Sequence, residues 1–184
     1  YQLFETYKPK VFMQLAVLFS KTALEVCDGQ QYDVDFETRT DVTITQYIKM
    51  IEYKTAVLIG ASLQMGAIIA NASPSCQEKI YAFGKNLGIA FQLQDDFLDA
   101  FGNPLTFGKQ VGGDIIANKK TFLYLTALQN STPAASQRLS SLFETMPKDP
   151  SDKITAVKEI FVSSGAAKAT EVEIARYTNT SISL

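Results

Sequence analysis

From Thr55 to Gln77 the chain carries no charged residue, and this stretch limits the possible folds more sharply than any other. Such a run is either a membrane span or an element buried in a protein interior. Ser62, Gln64, Asn71, Ser73 and Pro74 interrupt it, so its purely apolar part is too short to cross about 30 Å of hydrocarbon. It therefore reads as a central helix buried by its neighbours. A chain of 184 residues that is 46% hydrophobic has enough apolar surface to bury that helix, and residues 1–184 are expected to form one domain.

The remaining sequence is patterned for helices as well. Pro9 stands where a helix can start, and Val11, Phe12, Leu15, Leu18 and Phe19 repeat at helical spacing until Asp28-Gly29, where a stop is expected. Residues 28–42 are polar and acidic and read as a loop. Thr43 with Gln46 three residues later matches a capping box that opens a long helix to about Ala72. Ser73-Pro74 ends that helix and starts the next, with serine as N-cap and proline in the first turn. This third helix runs to Phe101 and stops at Gly102-Asn103-Pro104, after which the glycines to position 114 mark a compact loop. A short helix is expected over Thr121 to Gln129, and two or three more over 133–178, separated by Pro147/Pro150 and Gly165. No period-two alternation appears, so the fold class is all-α.

Charge and composition narrow the chemistry. A net charge of −2 gives no footprint for a nucleic-acid partner, though a local basic cluster could still hold a phosphorylated ligand. There is no histidine, which removes the commonest general base. Catalysis must then run on carboxylates, lysines, a metal or the substrate itself. Cys27 and Cys76 lack zinc-like spacing and read as small core residues in a reducing, cytoplasmic setting. Tyr1 to Lys10 lack the ordered parts of a signal peptide, no initiator methionine is present, and an upstream portion is expected to be missing.

The segment Phe91-Gln92-Leu93-Gln94-Asp95-Asp96-Phe97-Leu98-Asp99 gathers the carboxylates. At about 100° per residue, Gln92, Asp95, Asp96 and Asp99 fall within an arc of about 100°. Phe91, Leu93, Phe97, Leu98 and Phe101 fill the opposite side, which is expected to be buried. Three like charges so close repel unless a cation neutralises them, and Mg²⁺ characteristically takes one or two carboxylates plus substrate phosphates. A solvated acidic face is the plain alternative, and the flanking aromatics favour the sheltered one.

Gly108-Lys109, Gly112-Gly113-Asp114 and Asn118-Lys119-Lys120 follow within about twenty residues. Glycines let backbone close on a ligand and lysines supply cationic donors, but the spacing is not that of a Walker loop. Alone, this loop reads as a surface turn with solvated lysines; its place about ten residues after the acidic face favours pairing with metal ligands. Tyr53-Lys54-Thr55 heads the charge-free run, where the lysine either snorkels or points into a polar pocket. Asp28-Gly29-Gln30-Gln31-Tyr32-Asp33 could be a loop without further role.

Taken in order, Phe91-Gln-Leu-Gln-Asp-Asp-Phe-Leu-Asp99, Phe101-Gly-Asn-Pro104, Gly108-Lys109, Gly113-Asp114 and Asn118-Lys119 closely resemble the trans-isoprenyl diphosphate synthases, or polyprenyl synthetases. The stretch is similar to that family's second aspartate-rich motif and the lysine loop after it. Lys54-Thr55 is similar to its Lys-Thr pair and Gly29-Gln30 to its Gly-Gln motif. In order and spacing the resemblance covers about residues 26–125; residues 126–184 share only helical character.

The resemblance implies an antiparallel helical bundle of the isoprenoid synthase type and the condensation of isopentenyl diphosphate with an allylic diphosphate. It implies Mg²⁺ held by Asp95 chiefly, with Asp96 and Asp99. Lys54 and Lys109 would contact the diphosphate, Lys119 would assist, and Gln92, Thr55 and the Lys54 carbonyl would face an allylic cation. It also implies a homodimer acting on small isoprenyl diphosphates without stable membrane insertion. The family's first aspartate-rich motif is absent: Asp33, Asp35, Glu37 and Asp41 do not have its spacing. It is expected before Tyr1, with the N-terminal helices and the isopentenyl diphosphate site, and these residues alone are expected to be inactive. A terpene cyclase and a non-catalytic helical partner of a prenyl synthase are the alternatives.

Overall fold

The structure is a computed structural model that describes residues 1–103 and 111–184. A short 3₁₀ turn, Gln2–Phe4, precedes α1 (Pro9–Thr38). Then follow α2 (Ile44–Ile51), a π-helical turn (Glu52–Ala56), α3 (Val57–Ile69) and α4 (Pro74–Phe101). Beyond residue 110 come α5 (Gly113–Ile116), α6 (Phe122–Asn130), α7 (Pro133–Leu142), α8 (Ser151–Ser163) and α9 (Ala166–Ile182). No strand occurs among the described residues, and the fold is all-α.

The expected caps form. Thr43 and Gln46 bond reciprocally: the Thr43 N–H donates to Gln46 Oε1 at 2.9 Å and the Gln46 N–H to Thr43 Oγ1 at 3.2 Å. Ser73 Oγ accepts the Cys76 N–H at 3.3 Å, with Pro74 in the first turn of α4. The run opened by Thr43 ends at Ile69, where Asn71 turns left-handed at φ 55°.

One boundary differs from expectation. α1 does not stop at Asp28-Gly29 but continues to Thr38, through most of the segment read as a loop. A Cβ on Gly29 would stand 2.3 Å from the Lys54 backbone nitrogen, so the glycine serves a close helix approach instead of a stop. The helical turns after it are tied to the rest of the chain. Asp33 pairs with Lys54, and the carbonyls of Phe36 and Glu37 in the last turn accept from Lys120 Nζ at 2.6 and 3.1 Å.

The chain divides into two compact units. The first comprises Tyr1–Val34, Lys49–Ala90 and Arg176–Leu184; the second comprises Asp35–Ile48 and Phe91–Ala175. Leu15, Ile51, Ala56, Val57, Ala61 and Ile89 are buried in the first, and Leu93, Leu123, Leu139, Val157 and Phe161 in the second. The charge-free helix is only half buried: Val57, Gly60, Ala61 and Ile68 face inward, whereas Leu58, Leu63 and Ile69 are exposed. Both cysteines are exposed, against expectation. Cys27 lies two positions from Gly29, about 200° around the helix from its packed side, and Cys76 sits in the exposed first turn of α4. No helix among the described residues is long and apolar enough to cross a membrane.

Candidate functional site

The acidic helix α4 distributes its aspartates unequally. Asp96 is buried and both of its carboxylate oxygens are engaged: the phenol of Tyr47, itself buried, donates to Oδ2, and Gln92 Nε2 donates to Oδ1 at 2.9 Å. Burial pushes the Asp96 carboxyl up to about 7, with the charge of Asp114 adding to the rise, while Tyr47, Gln92 and Lys119 oppose it. Asp95 and Asp99 are half-buried. Four residues apart, they lie one above the other on the helix.

Asp99 is built into the start of the loop. Its Oδ2 accepts the Asp114 N–H at 2.9 Å, and its backbone carbonyl accepts the Gly112 N–H at 2.6 Å. Gly112 has φ 89°, and a Cβ there would also meet the Ile154 side chain at 2.9 Å, so glycine suits the turn of the chain back onto α4. Burial raises the Asp99 carboxyl above its usual range, against the pull of the Asp114 N–H. Asp114 in turn pairs with Lys119, Nζ to Oδ1 at 2.7 Å. Asp96, Asp99, Asp114, Lys119 and Thr121 line one pocket, with Phe143 and Phe161 among its apolar walls.

In the other unit, Lys54 sits in the π-helical turn and its Nζ donates to Asp33 Oδ2 at 2.5 Å. The extra residue of a π turn rotates the side chains after it, and such turns are frequent at functional sites. Tyr53 stacks on Tyr32 with ring centroids 6.5 Å apart, and Lys49 Nζ lies 3.7 Å from the Tyr53 centroid. Thr55 is half-buried in the same turn.

The sequence-predicted residues thus fall into sets. Gln92, Asp96, Asp99 and Lys119 belong to one connected arrangement, and Asp95 flanks it on the same helix. Lys54 and Thr55 form a second group, and Lys109 lies outside the described residues. Phe91 was expected on the buried side and is instead 61% exposed. It stands four residues before Asp95 and so shares that residue's face, while Leu93 is fully buried. Tyr47, Asp114 and Asp33 were not assigned from the sequence. A tyrosine in an amphipathic helix carries no signal of its own, Asp114 was legible only as a neighbour of two glycines, and Asp33 was set aside for lacking metal-ligand spacing. Among the described residues no three Asp, Glu, His or Cys side chains are grouped so as to hold a metal ion by themselves.

Comparison with known proteins points one way. The sequence profile of the polyprenyl synthetases matches residues 1–160. The chain is 36% identical over 168 residues to (2E,6E)-farnesyl diphosphate synthase of Mycobacterium bovis, covering 90% of this chain and 46% of that protein. It is 43% identical over 106 residues to geranylfarnesyl diphosphate synthase of Natronomonas pharaonis, covering 58% of this chain and 31% of the relative. A crystal structure of geranylgeranyl pyrophosphate synthase superimposes with a TM-score of 0.93 at 52% identity, covering 99% of this chain and 57% of the other. The chain therefore spans about half the length of the proteins it matches, or less. The profile match, these identities and the shared helical architecture agree: this chain belongs to the polyprenyl synthetase family.

Proposed function

We propose that this chain supplies the Mg²⁺- and diphosphate-binding part of a prenyltransferase that condenses isopentenyl diphosphate with an allylic diphosphate. The observation that carries the reading is the linked set at the end of α4, in which Asp114 joins Asp99 through its backbone N–H at 2.9 Å and Lys119 through its carboxylate at 2.7 Å around one pocket. Carboxylates beside an ammonium match a metal–diphosphate ligand: oxygens for the metal and a cation for the phosphate.

The donors fit Mg²⁺ shared with a substrate. Asp95 and Asp99 offer half-buried carboxylates at one-turn spacing, whereas Asp96 is buried and both of its oxygens accept from the side chains of Tyr47 and Gln92. Asp96 then acts behind the other two, holding Gln92 in place. When bound, Mg²⁺ supplies positive charge against the departing pyrophosphate. Lys119, with Lys54 and Lys109, contacts the diphosphate and stabilises the charge that gathers as its C–O bond breaks. Lys54 exchanges Asp33 for a phosphate oxygen. Gln92 and Thr55 face the allylic cation, which the isopentenyl double bond captures before the resulting cation gives up a proton to the released pyrophosphate. The same reading carries one isoprenoid synthase domain, a cytoplasmic setting and a homodimer. Exposed Met13, Val17 and Leu24 on one face of α1 support a covered surface there.

Thermal unfolding of the chain with Mg²⁺ and inorganic pyrophosphate tests the reading. At a hundredfold excess over Kd the ligand adds about 2.7 kcal/mol, so Tm is expected to rise by about 5 °C or more. Asp95→Ala is expected to remove the rise. No shift in the native chain, or an equal one in the variant, overturns the assignment. The 184 residues hold a single aspartate-rich motif. They are therefore expected to release no pyrophosphate from geranyl and isopentenyl diphosphates unaided, and turnover would show that a second acidic wall is not required.

A further inference from the structure

Lys153, in the first turn of α8, is only 4% exposed, yet among the described residues it forms no ion pair. An ammonium taken out of water without a counter-ion costs stability, and an apolar residue of similar volume commonly serves such a position as well or better. A lysine at this place therefore calls for a task beyond packing. Burial lowers its pKa from the ordinary lysine value.

The contacts of Lys153 indicate that task. Its Nζ donates to the side-chain oxygen of Asn118 and, at 2.8 Å, to the carbonyl of Thr145, and it lies 5.6 Å from the centroid of the Phe143 ring. Asn118 is held at φ 56°, in the left-handed region that side-chain-bearing residues seldom adopt. The next residue is Lys119, whose backbone N–H donates to the Asp114 carbonyl at 2.9 Å and whose Nζ reaches Asp114 Oδ1. The direction in which Lys119 leaves the chain is thus set by the turn at Asn118, and Lys153 grips that turn from below. Phe143 closes the same pocket that Lys119 lines.

We propose that Lys153 is a positioning residue that acts through Asn118 to aim Lys119 at the diphosphate. The proposal rests on the reading of Lys119 as a diphosphate ligand, and its test separates the two.

The affinity of the 184-residue chain for inorganic pyrophosphate in saturating Mg²⁺ is measured by calorimetry for the native chain, Lys119→Met, Lys153→Met and the double variant. Lys119→Met is expected to weaken binding about tenfold, the loss of one charge-assisted contact. Lys153→Met is expected to weaken it about fivefold, and the double variant to bind no worse than Lys119→Met alone, because a residue that acts through Lys119 has nothing left to aim. Asn118→Gly is carried through the same cycle. It removes the acceptor, keeps a backbone at ease with positive φ, and is expected to reproduce the Lys153→Met pattern even where Lys153→Met fails to fold. If Lys119→Met leaves affinity unchanged, the diphosphate reading of Lys119 falls and takes the proposal with it. If Lys119→Met weakens binding while the Lys153 and Asn118 variants do not, or their losses add to it, Lys119 stands and the positioning role is overturned.

Discussion

Two lysines of this chain are each held by an aspartate, and the ways they are held differ. Lys54 in the first unit pairs directly with Asp33, and both side chains are about a third exposed. Its placement comes from backbone: α1 presses Gly29 against the π turn so closely that no side chain fits between them. Lys119 in the second unit is placed by a relay of polar contacts, from Lys153 to Asn118 on one side and from Asp99 through Asp114 on the other. A cation set by helix contact tolerates loss of its counter-ion but not of the contact. A cation set by a loop depends on each bond in the relay. The expected responses to mutation follow from that difference.

The largest response belongs to the helix contact. Gly29→Ala puts a methyl 2.3 Å from the Lys54 backbone nitrogen, where backbone and not a flexible side-chain end must yield. A cost of about 3 kcal/mol or more is expected, at the upper end of overpacking effects. Chemical denaturation measures it, with Gly66→Ala as control, since an added Cβ there meets nothing within 4 Å. Gly66→Ala is expected to be neutral or to stabilise by about 0.5–1 kcal/mol. Equal midpoints for the two variants would remove the argument that helix approach places Lys54.

An intermediate response is expected in the second unit, at Tyr47. Tyr47→Phe takes one donor from the buried Asp96 carboxyl, and about 1–3 kcal/mol of stability is expected to be lost. The pH dependence has a definite sign. The folded Asp96 carboxyl is pushed up to about 7 from the usual 3.8, so the native state holds this proton more tightly than the unfolded chain. The stabilisation is complete below about pH 4 and is lost as pH rises towards 7, so this group makes the native chain less stable at pH 7 than at pH 5. Asp96→Asn is expected to flatten that slope in metal-free buffer. An Asp96→Asn variant with an unchanged slope would show that Asp96 is ionised in the folded chain, and the Tyr47 contact would then be an ordinary charge-assisted bond.

Much of this arrangement was legible in the sequence, and the failures share one cause. Caps and breakers at Thr43/Gln46 and Ser73-Pro74 act over three or four residues, and those boundaries came out as expected. The helical wheel brought Gln92, Asp96 and Asp99 together because i, i+3 and i, i+4 spacings are local geometry. Gly29 was misread as a stop because its reason is a helix far away in sequence. Asp33 and Tyr47 were missed for the same reason: their partners Lys54 and Asp96 stand 21 and 49 residues away. The wheel also puts Asp95 and Asp96 on one face alike, yet the tertiary contact from Tyr47, added to the local one from Gln92, commits both oxygens of Asp96 to protein donors. Cys27 and Cys76 were placed inside from average habits of cysteine, which one helix phase and one exposed first turn overrule.

The smallest response sharpens the contrast most. Asp33→Asn removes the carboxylate that Lys54 faces but leaves Gly29, the π turn and the backbone of Lys54 untouched. Partly exposed ion pairs contribute at most about 1 kcal/mol, so the denaturation midpoint is expected to move little. Binding should move the other way. Relieved of its internal partner, Lys54 no longer gives up a carboxylate to meet a phosphate, and pyrophosphate affinity in Mg²⁺ is expected to rise by about two- to fivefold, as far as that competition is worth up to about 1 kcal/mol. Asp114→Asn, made in the same background, also frees a lysine but removes a member of the relay around Lys119, and it is expected to weaken binding. If both substitutions weaken pyrophosphate binding alike, Asp33 is part of the support for Lys54, and the division between a lysine set by backbone and one set by a polar relay does not hold.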